Sequence, residues 1–305
     1  MRDLAEEFEA ERDHLTAVAY RMLGSRAEAE DAVQEAWLRY ANALTDPAAR
    51  AEVRDLRAWL TTAVSRICLD VLRSPRVRRE GFPSQWLPEP IVERVPAGPD
   101  PADLAARTDQ VGMALLVVLE KLTPEQRVAF VLHDVFGVPF ENVAEVLGIT
   151  PVAARQHASR ARRAVTDGQP RHTADLAEQR RVLAAFTAAT QSGDVNALLS
   201  VLAPDVVMIG DGGGVFPAAG RPVSGRDQVA TLLKGLSRLA DRSMTLVRAA
   251  PVLVNGALGM QWEGAYKGRP IRAVMAMTIA DGRITAIYNQ LSPDKVAAVP
   301  PLPSP

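Results

Sequence analysis

Apolar positions follow two regimes along the chain. Up to about residue 170 they recur every three or four residues, the spacing of helices that pack on one face. Val33, Ala36, Trp37 and Tyr40 form such a stripe in a helix predicted over 25–42, where Ser25 precedes Glu28 by three residues as in a capping box. A second helix is predicted over 54–72 and a third near 108–120. A fourth opens at Thr123-Pro124-Glu125-Gln126, with Thr123 as cap, Pro124 in the first helical position and Gln126 completing the box. Beyond residue 173 the pattern predicts helices over 174–190 and 195–202, a strand over 206–209, a glycine loop and a helix over 226–239. Strand-like runs follow at 244–254, 257–267, 270–280 and 283–291, divided by the hairpin signals Asn255-Gly256, Lys267-Gly268 and Asp281-Gly282. Helices followed by an antiparallel meander make an α+β domain.

Proline punctuates these blocks. Seven prolines between 75 and 101 mark an extended tether, and a second seam lies near Asp167-Gly168-Gln169-Pro170. The division is 1–75, a tether 76–107, a helical block 108–168, a third domain 173–295 and a tail 296–305 expected to be disordered. Composition adds exclusions: 48% apolar and 23% charged residues suit a globular protein, and one cysteine, Cys68, permits no internal disulfide. No run has the length of a membrane helix, and no signal-peptide core opens the chain, so a cytoplasmic protein with no metal and no cofactor is expected.

The net charge of −1 hides a local asymmetry. Residues 1–75 carry 10 basic and 14 acidic side chains, and 108–150 carry 2 and 6, whereas 151–165 carry four arginines and no acid. Gly148-Ile149-Thr150 reads as a tight turn, and Pro151 opens a helix capped by Thr150. On that helix Ala154, Ala158, Ala161 and Val165 share one side within about 60°. Arg155, Gln156, Ser159, Arg160, Arg162 and Arg163 take the other. Small apolar residues allow close packing, and the arginine face suits phosphates and guanine edges. A solvated helix face is the plain alternative; the turn, cap and missing acids together favour DNA. Opposite the Val33 stripe, Asp31, Gln34, Glu35 and Leu38 form a face that is either a docking surface or one with a single exposed leucine.

Asp31-Ala32-Val33-Gln34-Glu35-Ala36-Trp37-Leu38 resembles the signature helix of bacterial sigma factor domain 2, and 58–73 resembles that domain's promoter-facing helix. The stretch from Leu122-Thr123-Pro124-Glu125-Gln126-Arg127 to Arg160-Ala161-Arg162-Arg163 resembles sigma domain 4. Two such domains with none between them resemble the extracytoplasmic-function class. Trp86-Leu87-Pro88-Glu89-Pro90, Asp211-Gly212-Gly213-Gly214 and Ser292-Pro293-Asp294-Lys295-Val296 resemble motifs of its SigJ-like subgroup, which carries a C-terminal SnoaL-like domain of the NTF2 superfamily. The last motif departs from the subgroup's Asn-Pro-Asp-Lys-Leu at both outer positions.

The resemblance implies two all-α sigma domains, the second a helix-turn-helix, and an α+β cone with a curved antiparallel sheet. It implies promoter initiation by core RNA polymerase, with Asp31, Gln34, Glu35 and Leu38 on the clamp coiled coil of the largest subunit. Arg54, Arg57, Arg66 and Arg73 would lie at the downstream promoter element, beside a Trp59 that reads as core. Arg155, Gln156, Ser159 and Arg160 would read the upstream element, with Arg162 and Arg163 on phosphates. Trp86, Pro88, Asp211, Gly212, Gly213, Gly214, Pro293, Asp294 and Lys295 would couple the third domain to the tether in place of a separate anti-sigma factor. An unidentified small ligand in the SnoaL-like domain is left open.

Asp211, Glu263, Tyr266, Tyr288 and Asn289 are that domain's candidate acid–base groups, but it holds no histidine, and a noncatalytic regulator is expected. The glycine loop and the Pro293-Asp294-Lys295 turn read as surface loops. The alternatives are a ligand-sensing helix-turn-helix regulator, or a SnoaL-like enzyme fused to a DNA-binding module.

Overall fold

The computed structural model describes residues 2–43, 53–74, 87–95, 112–168, 174–219 and 221–303. They fall into two compact units, one of 1–81 with 118–168 and one of 82–117 with 169–305.

In the first unit, helices α1 (Arg2–Leu23), α2 (Arg26–Ala43) and α3 (Leu56–Arg73) pack on one another. Ser25 Oγ accepts from the Glu28 amide at 3.3 Å, and Asp55 caps α3 through the Ala58 amide at 3.0 Å. Phe8, Leu15, Met22, Tyr40 and Leu60 fill the centre. Trp59, half-buried, lies 6.0 Å from the Tyr40 ring. The chain re-enters this unit only at the end of α4 (Met113–Leu119), whose first five residues belong to the second unit, and continues into α5 (Pro124–Phe130), whose capping box makes both of its hydrogen bonds. A π-helical stretch, Val131–Val135, leads on to α6 (Phe140–Leu147). Gly148, at φ 69°, turns the chain into α7 (Pro151–Gly168), a left-handed position that glycine adopts without strain. Ala154, Ala158 and Ala161 are fully buried, which lets α7 pack closely on α5.

In the second unit, α8 (Leu176–Ser192), α9 (Val195–Val201) and α10 (Arg226–Ser243) cover one face of a seven-stranded sheet. Its strands are β1 (Val92–Arg94), β2 (Leu202–Asp211), β3 (Val223–Ser224), β4 (Met244–Val254), β5 (Ala257–Tyr266), β6 (Arg269–Ala280) and β7 (Arg283–Gln290), in the order β1-β4-β5-β6-β7-β2-β3. Both residues of each hairpin turn, Asn255-Gly256, Lys267-Gly268 and Asp281-Gly282, have positive φ, the type I′ geometry that matches strand twist. Met275 and Met277 face the helices, while Val274 and Ala276 face the opposite layer. Strand β6 is therefore apolar on both sides.

Three expectations are corrected here. The sheet is mixed, because β2 runs parallel to β7. The tether is not featureless: Val92–Arg94 pairs antiparallel with β4, and the amide and carbonyl of Ile91 bond to Asn255. The tail is ordered over 296–303, with Val296, Val299 and Leu302 buried. One physical cause accounts for the last two. The face of Val252, Val254, Val274 and Ala276 carries no helix from 174–243, and Leu87, Val92 and the tail's three apolar side chains cover it instead. Residues 75–86 and 96–111, which hold Trp86 and most of the predicted tether, lie outside the described residues.

Candidate functional site

Two sets of side chains stand out in the first unit. On α2, Asp31, Gln34 and Leu38 are exposed, Leu38 to 55%, and Glu35 pairs with Arg39 at 3.0 Å. Val33, Ala36 and Tyr40 are buried opposite them. A leucine that exposed contributes little to its own domain's core. On α7, Arg155, Gln156, Arg160, Arg162 and Arg163 are exposed and Ser159 is partly so. The Thr150 hydroxyl caps this helix through the Ala153 amide at 3.3 Å.

Several of the arginines already face carboxylates. Arg155 lies 3.4 Å from Glu141 and over the Phe140 ring, and Arg162 pairs with Asp134. Arg66 reaches Glu145 at 3.0 Å, and Arg73 bonds Glu125 at 2.8 and 3.1 Å. Partial burial alone would raise the Glu125 pKa. The Arg73 hydrogen bond and charge, with a backbone donor, hold it below the ordinary carboxylate value. The firmest link between the unit's two helical halves is Arg127, almost wholly buried. It grips Glu120 in a two-pronged pair at 2.7 and 2.9 Å and donates to the Met22 carbonyl at 3.0 Å. Arg57 lies 3.6 Å from Glu11 and donates to His14 Nδ1 at 2.9 Å, while His14 Nε2 meets the Thr61 hydroxyl at 3.0 Å. Arg54 is exposed.

In the second unit, one carboxylate gathers residues far apart in sequence. Asp211 Oδ2 accepts from Lys295 Nζ at 2.7 Å, from the Leu87 amide at 3.1 Å and from Gln290 Nε2 at 3.3 Å, while Oδ1 accepts from the Gly213 amide at 3.0 Å. Lys295 Nζ also donates to the Leu87 carbonyl at 2.8 Å. Gln290 reaches the Leu87 and Pro88 carbonyls at 3.2 and 3.5 Å. Tether, glycine loop and C-terminal turn thus close into one clamp.

The Asp211 side chain is only 6% exposed and Gly212 is buried, so the expectation of a surface loop fails at both; Lys295 is partly buried, while Gly213, Gly214, Pro293 and Asp294 are exposed as expected. The glycines have separate structural reasons. A Cβ on Gly212 would sit 2.0 Å from the Phe216 carbonyl oxygen, and one on Gly213 would sit 2.4 Å from Ser292 Oγ. Gln290 is the member of this cluster that sequence reasoning missed, because an isolated glutamine at a strand end carries no local signal.

The candidate acid–base groups are spread over β2, β5 and β7, and the carboxylates among them are paired. Glu263 is held by Arg248 at 2.8 Å and Arg272 at 3.0 Å, and it accepts from the Leu302 amide at 3.1 Å. Burial pushes the Tyr288 hydroxyl's pKa up. Tyr266 makes an edge contact with the Phe216 ring, 6.2 Å between centroids, and the buried Asn289 Oδ1 has no partner among the described residues.

The comparisons with known proteins fall on these same parts. The family described as sigma-70 region 2 matches residues 8–78, sigma-70 region 4 matches 112–165, and the SnoaL-like domain matches 150–287. These matches define the class in which two sigma-70 regions are joined to a SnoaL-like domain. The ECF RNA polymerase sigma factor SigJ of Mycobacterium tuberculosis (strain H37Rv) is 43% identical over 96% of this chain and 93% of its own. The probable ECF sigma factor SigI of the same organism is 35% identical over 93% and 91%. The crystal structure of M. tuberculosis SigJ superposes with a TM-score of 0.74 at 42% identity, covering 97% of this chain and 99% of that one. The chain belongs to the ECF RNA polymerase sigma factors.

Proposed function

We propose that this protein directs core RNA polymerase, in the cytoplasm, to specific promoters, and that its SnoaL-like domain regulates this step in cis. The observation that carries the regulatory half is the clamp of Asp211, Gln290 and Lys295 on Leu87, a residue of the segment that joins the two sigma regions. A domain that grips this segment can bias how the sigma regions present themselves, without a separate anti-sigma factor.

The α2 face of Asp31, Gln34, Glu35 and Leu38 docks on the clamp coiled coil of the polymerase's largest subunit. Arg54, Arg57, Arg66 and Arg73 line the downstream element. Arg155, Gln156, Ser159 and Arg160 read the upstream element in the major groove, and Arg162 and Arg163 hold phosphates. The carboxylates now paired with Arg66, Arg73, Arg155 and Arg162 do not prevent this. Surface ion pairs are worth about 0.2–1 kcal/mol, less than the roughly 1.5–3 kcal/mol of a hydrogen bond to a charged group such as a phosphate. DNA therefore displaces them.

The SnoaL-like domain acts without catalysis. Its two central carboxylates, Asp211 and Glu263, are each held by basic side chains and amides, which favours the ionised, structural form of a carboxylate over a proton-transferring one. The test is assembly: the full chain should co-elute with purified core polymerase in size-exclusion chromatography, and Leu38→Asp should elute apart while keeping its fold. Failure of the unaltered chain to associate would reject the proposal.

A further inference from the structure

We infer that the SnoaL-like domain carries a binding pocket for a small monocarboxylate with an apolar body, seated between the Arg248–Glu263–Arg272 triad and the turn at 293–297. The inference deepens the proposed regulatory role of this domain and, for its consequence though not for the binding itself, rests on that reading.

The sheet register builds the site. Arg248 on β4 stands directly opposite Glu263 on β5, which stands opposite Arg272 on β6, so the three charges make one row across three strands. Beside this row lies a cavity of about 430 Å³, bordered by Phe216, Ile271, Leu291, Pro293 and Val296. That size lies within the range of roughly 300–1,000 Å³ usual for small-molecule sites. An apolar wall with a few converging polar groups is also their usual make-up.

The charge balance selects the ligand. Glu263 is saturated by both guanidinium groups, by the Leu302 amide and by Gln261 Nε2 at 3.3 Å. Two arginines against one carboxylate leave a single positive charge. A donor remains as well. Arg248 spends its Nη1 on the Leu302 and Pro303 carbonyls and its Nη2 on Glu263, and its Nε is enclosed by the fold, so the free donor comes from Arg272. Arg272 spends Nε on Glu263 and Nη1 on the Val299 carbonyl, which leaves Nη2 for an acceptor. A carboxylate oxygen that accepts from Arg272 Nη2 makes a charge-assisted hydrogen bond, the stronger kind. A phosphate dianion would overshoot the charge, and a neutral ligand would leave it unbalanced.

Occupancy has a route to the clamp. Pro293 and Val296 border the cavity, and Lys295 between them holds Asp211 and Leu87. A ligand packed on this turn therefore bears on the grip that the domain keeps on the tether.

The test uses the full chain in isothermal titration calorimetry, with 2-naphthoate and its uncharged counterpart 2-naphthamide as probes. Naphthoate should bind at least about tenfold tighter than the amide, one charge-assisted contact being worth about that factor. Arg272→Gln should remove that preference, and Arg272→Lys should keep part of it. Ala297→Trp, at an exposed position on the rim, should block binding without lowering the melting temperature. No binding of naphthoate, equal binding of acid and amide, or undiminished binding in both Arg272→Gln and Ala297→Trp would overturn the inference. Run-off transcription with naphthoate separates the two readings. Binding without any change in transcription would support the pocket and count against the regulatory role.

Discussion

Replacing Lys295 with methionine should loosen the tether while leaving the SnoaL-like domain folded. Methionine keeps most of the side chain's apolar length but removes the ammonium, 2.7 Å from Asp211 and 2.8 Å from the Leu87 carbonyl. The Asp211 carboxylate, 6% exposed, is then left without its counter-charge. Removing one partner of a buried ion pair costs about 3–5 kcal/mol. Donors from Leu87, Gln290 and Gly213 remain, which places the cost at the lower end, about 3 kcal/mol. Total stabilities of about 5–15 kcal/mol leave the fold standing.

Local opening at Leu87 should then become about a hundredfold more frequent, at about 1.4 kcal/mol per decade. Hydrogen–deuterium exchange reads this directly, because the Leu87 amide is itself bonded to Asp211. Ile91, anchored separately by Asn255, should keep its protection. The double variant Asp211→Asn with Lys295→Met, which removes both charges, should exchange more slowly at Leu87 than Lys295→Met alone. Unchanged exchange at Leu87 in Lys295→Met would refute the clamp, as would a double variant no better protected than the single.

Arg155→Ala and Arg160→Ala should each weaken upstream-element recognition by about 1–3 kcal/mol in fluorescence-anisotropy binding. Arg162→Ala should instead weaken specific and random DNA alike and reduce the salt dependence; equal losses for all three on both DNAs would show that α7 does not read bases. Leu38→Asp should melt within a few degrees of the unaltered chain, and a large fall in melting temperature would place Leu38 in the core. Burial first, then the charges of Arg57 and Arg21, hold the His14 pKa below its ordinary value of about 6.5. The unfolded chain therefore takes up the proton first. The first unit should keep its full stability above about pH 6.5 and lose some as pH falls below it. Thermal melts of His14→Gln should show a shallower acid-side decline, and an identical decline would exclude His14 as its source.

Local chemistry was legible in the sequence, and long-range chemistry was not. Caps at Ser25, Thr123 and Thr150 and the three hairpin turns each depend on residues within four positions of one another, so their patterns survive in a linear reading. The alanine stripe of α7 likewise named its buried side. The tail misled because its prolines were weighed and its apolar residues at 296, 299 and 302 were not; their three-residue spacing was the available signal. Asp211, Gln290, Lys295 and Leu87 meet across as many as 208 positions, and only the fold brings them together. The carboxylates opposite Arg66 and Arg73 lie 79 and 52 positions away, and nothing near those arginines announces them. Motif resemblance supplied three of the clamp's sequence segments but not the fact that they converge on one carboxylate.

The central claim, a sigma factor whose SnoaL-like domain acts through the tether, is tested most directly by run-off transcription with purified core polymerase on a promoter selected with the full chain. The account predicts a defined transcript with the full chain, none with Leu38→Asp, and a changed yield with Lys295→Met from the same start site. A full chain that binds polymerase but initiates no more than core enzyme alone would contradict the sigma assignment, and identical yields from Lys295→Met and the unaltered chain would contradict regulation through the clamp.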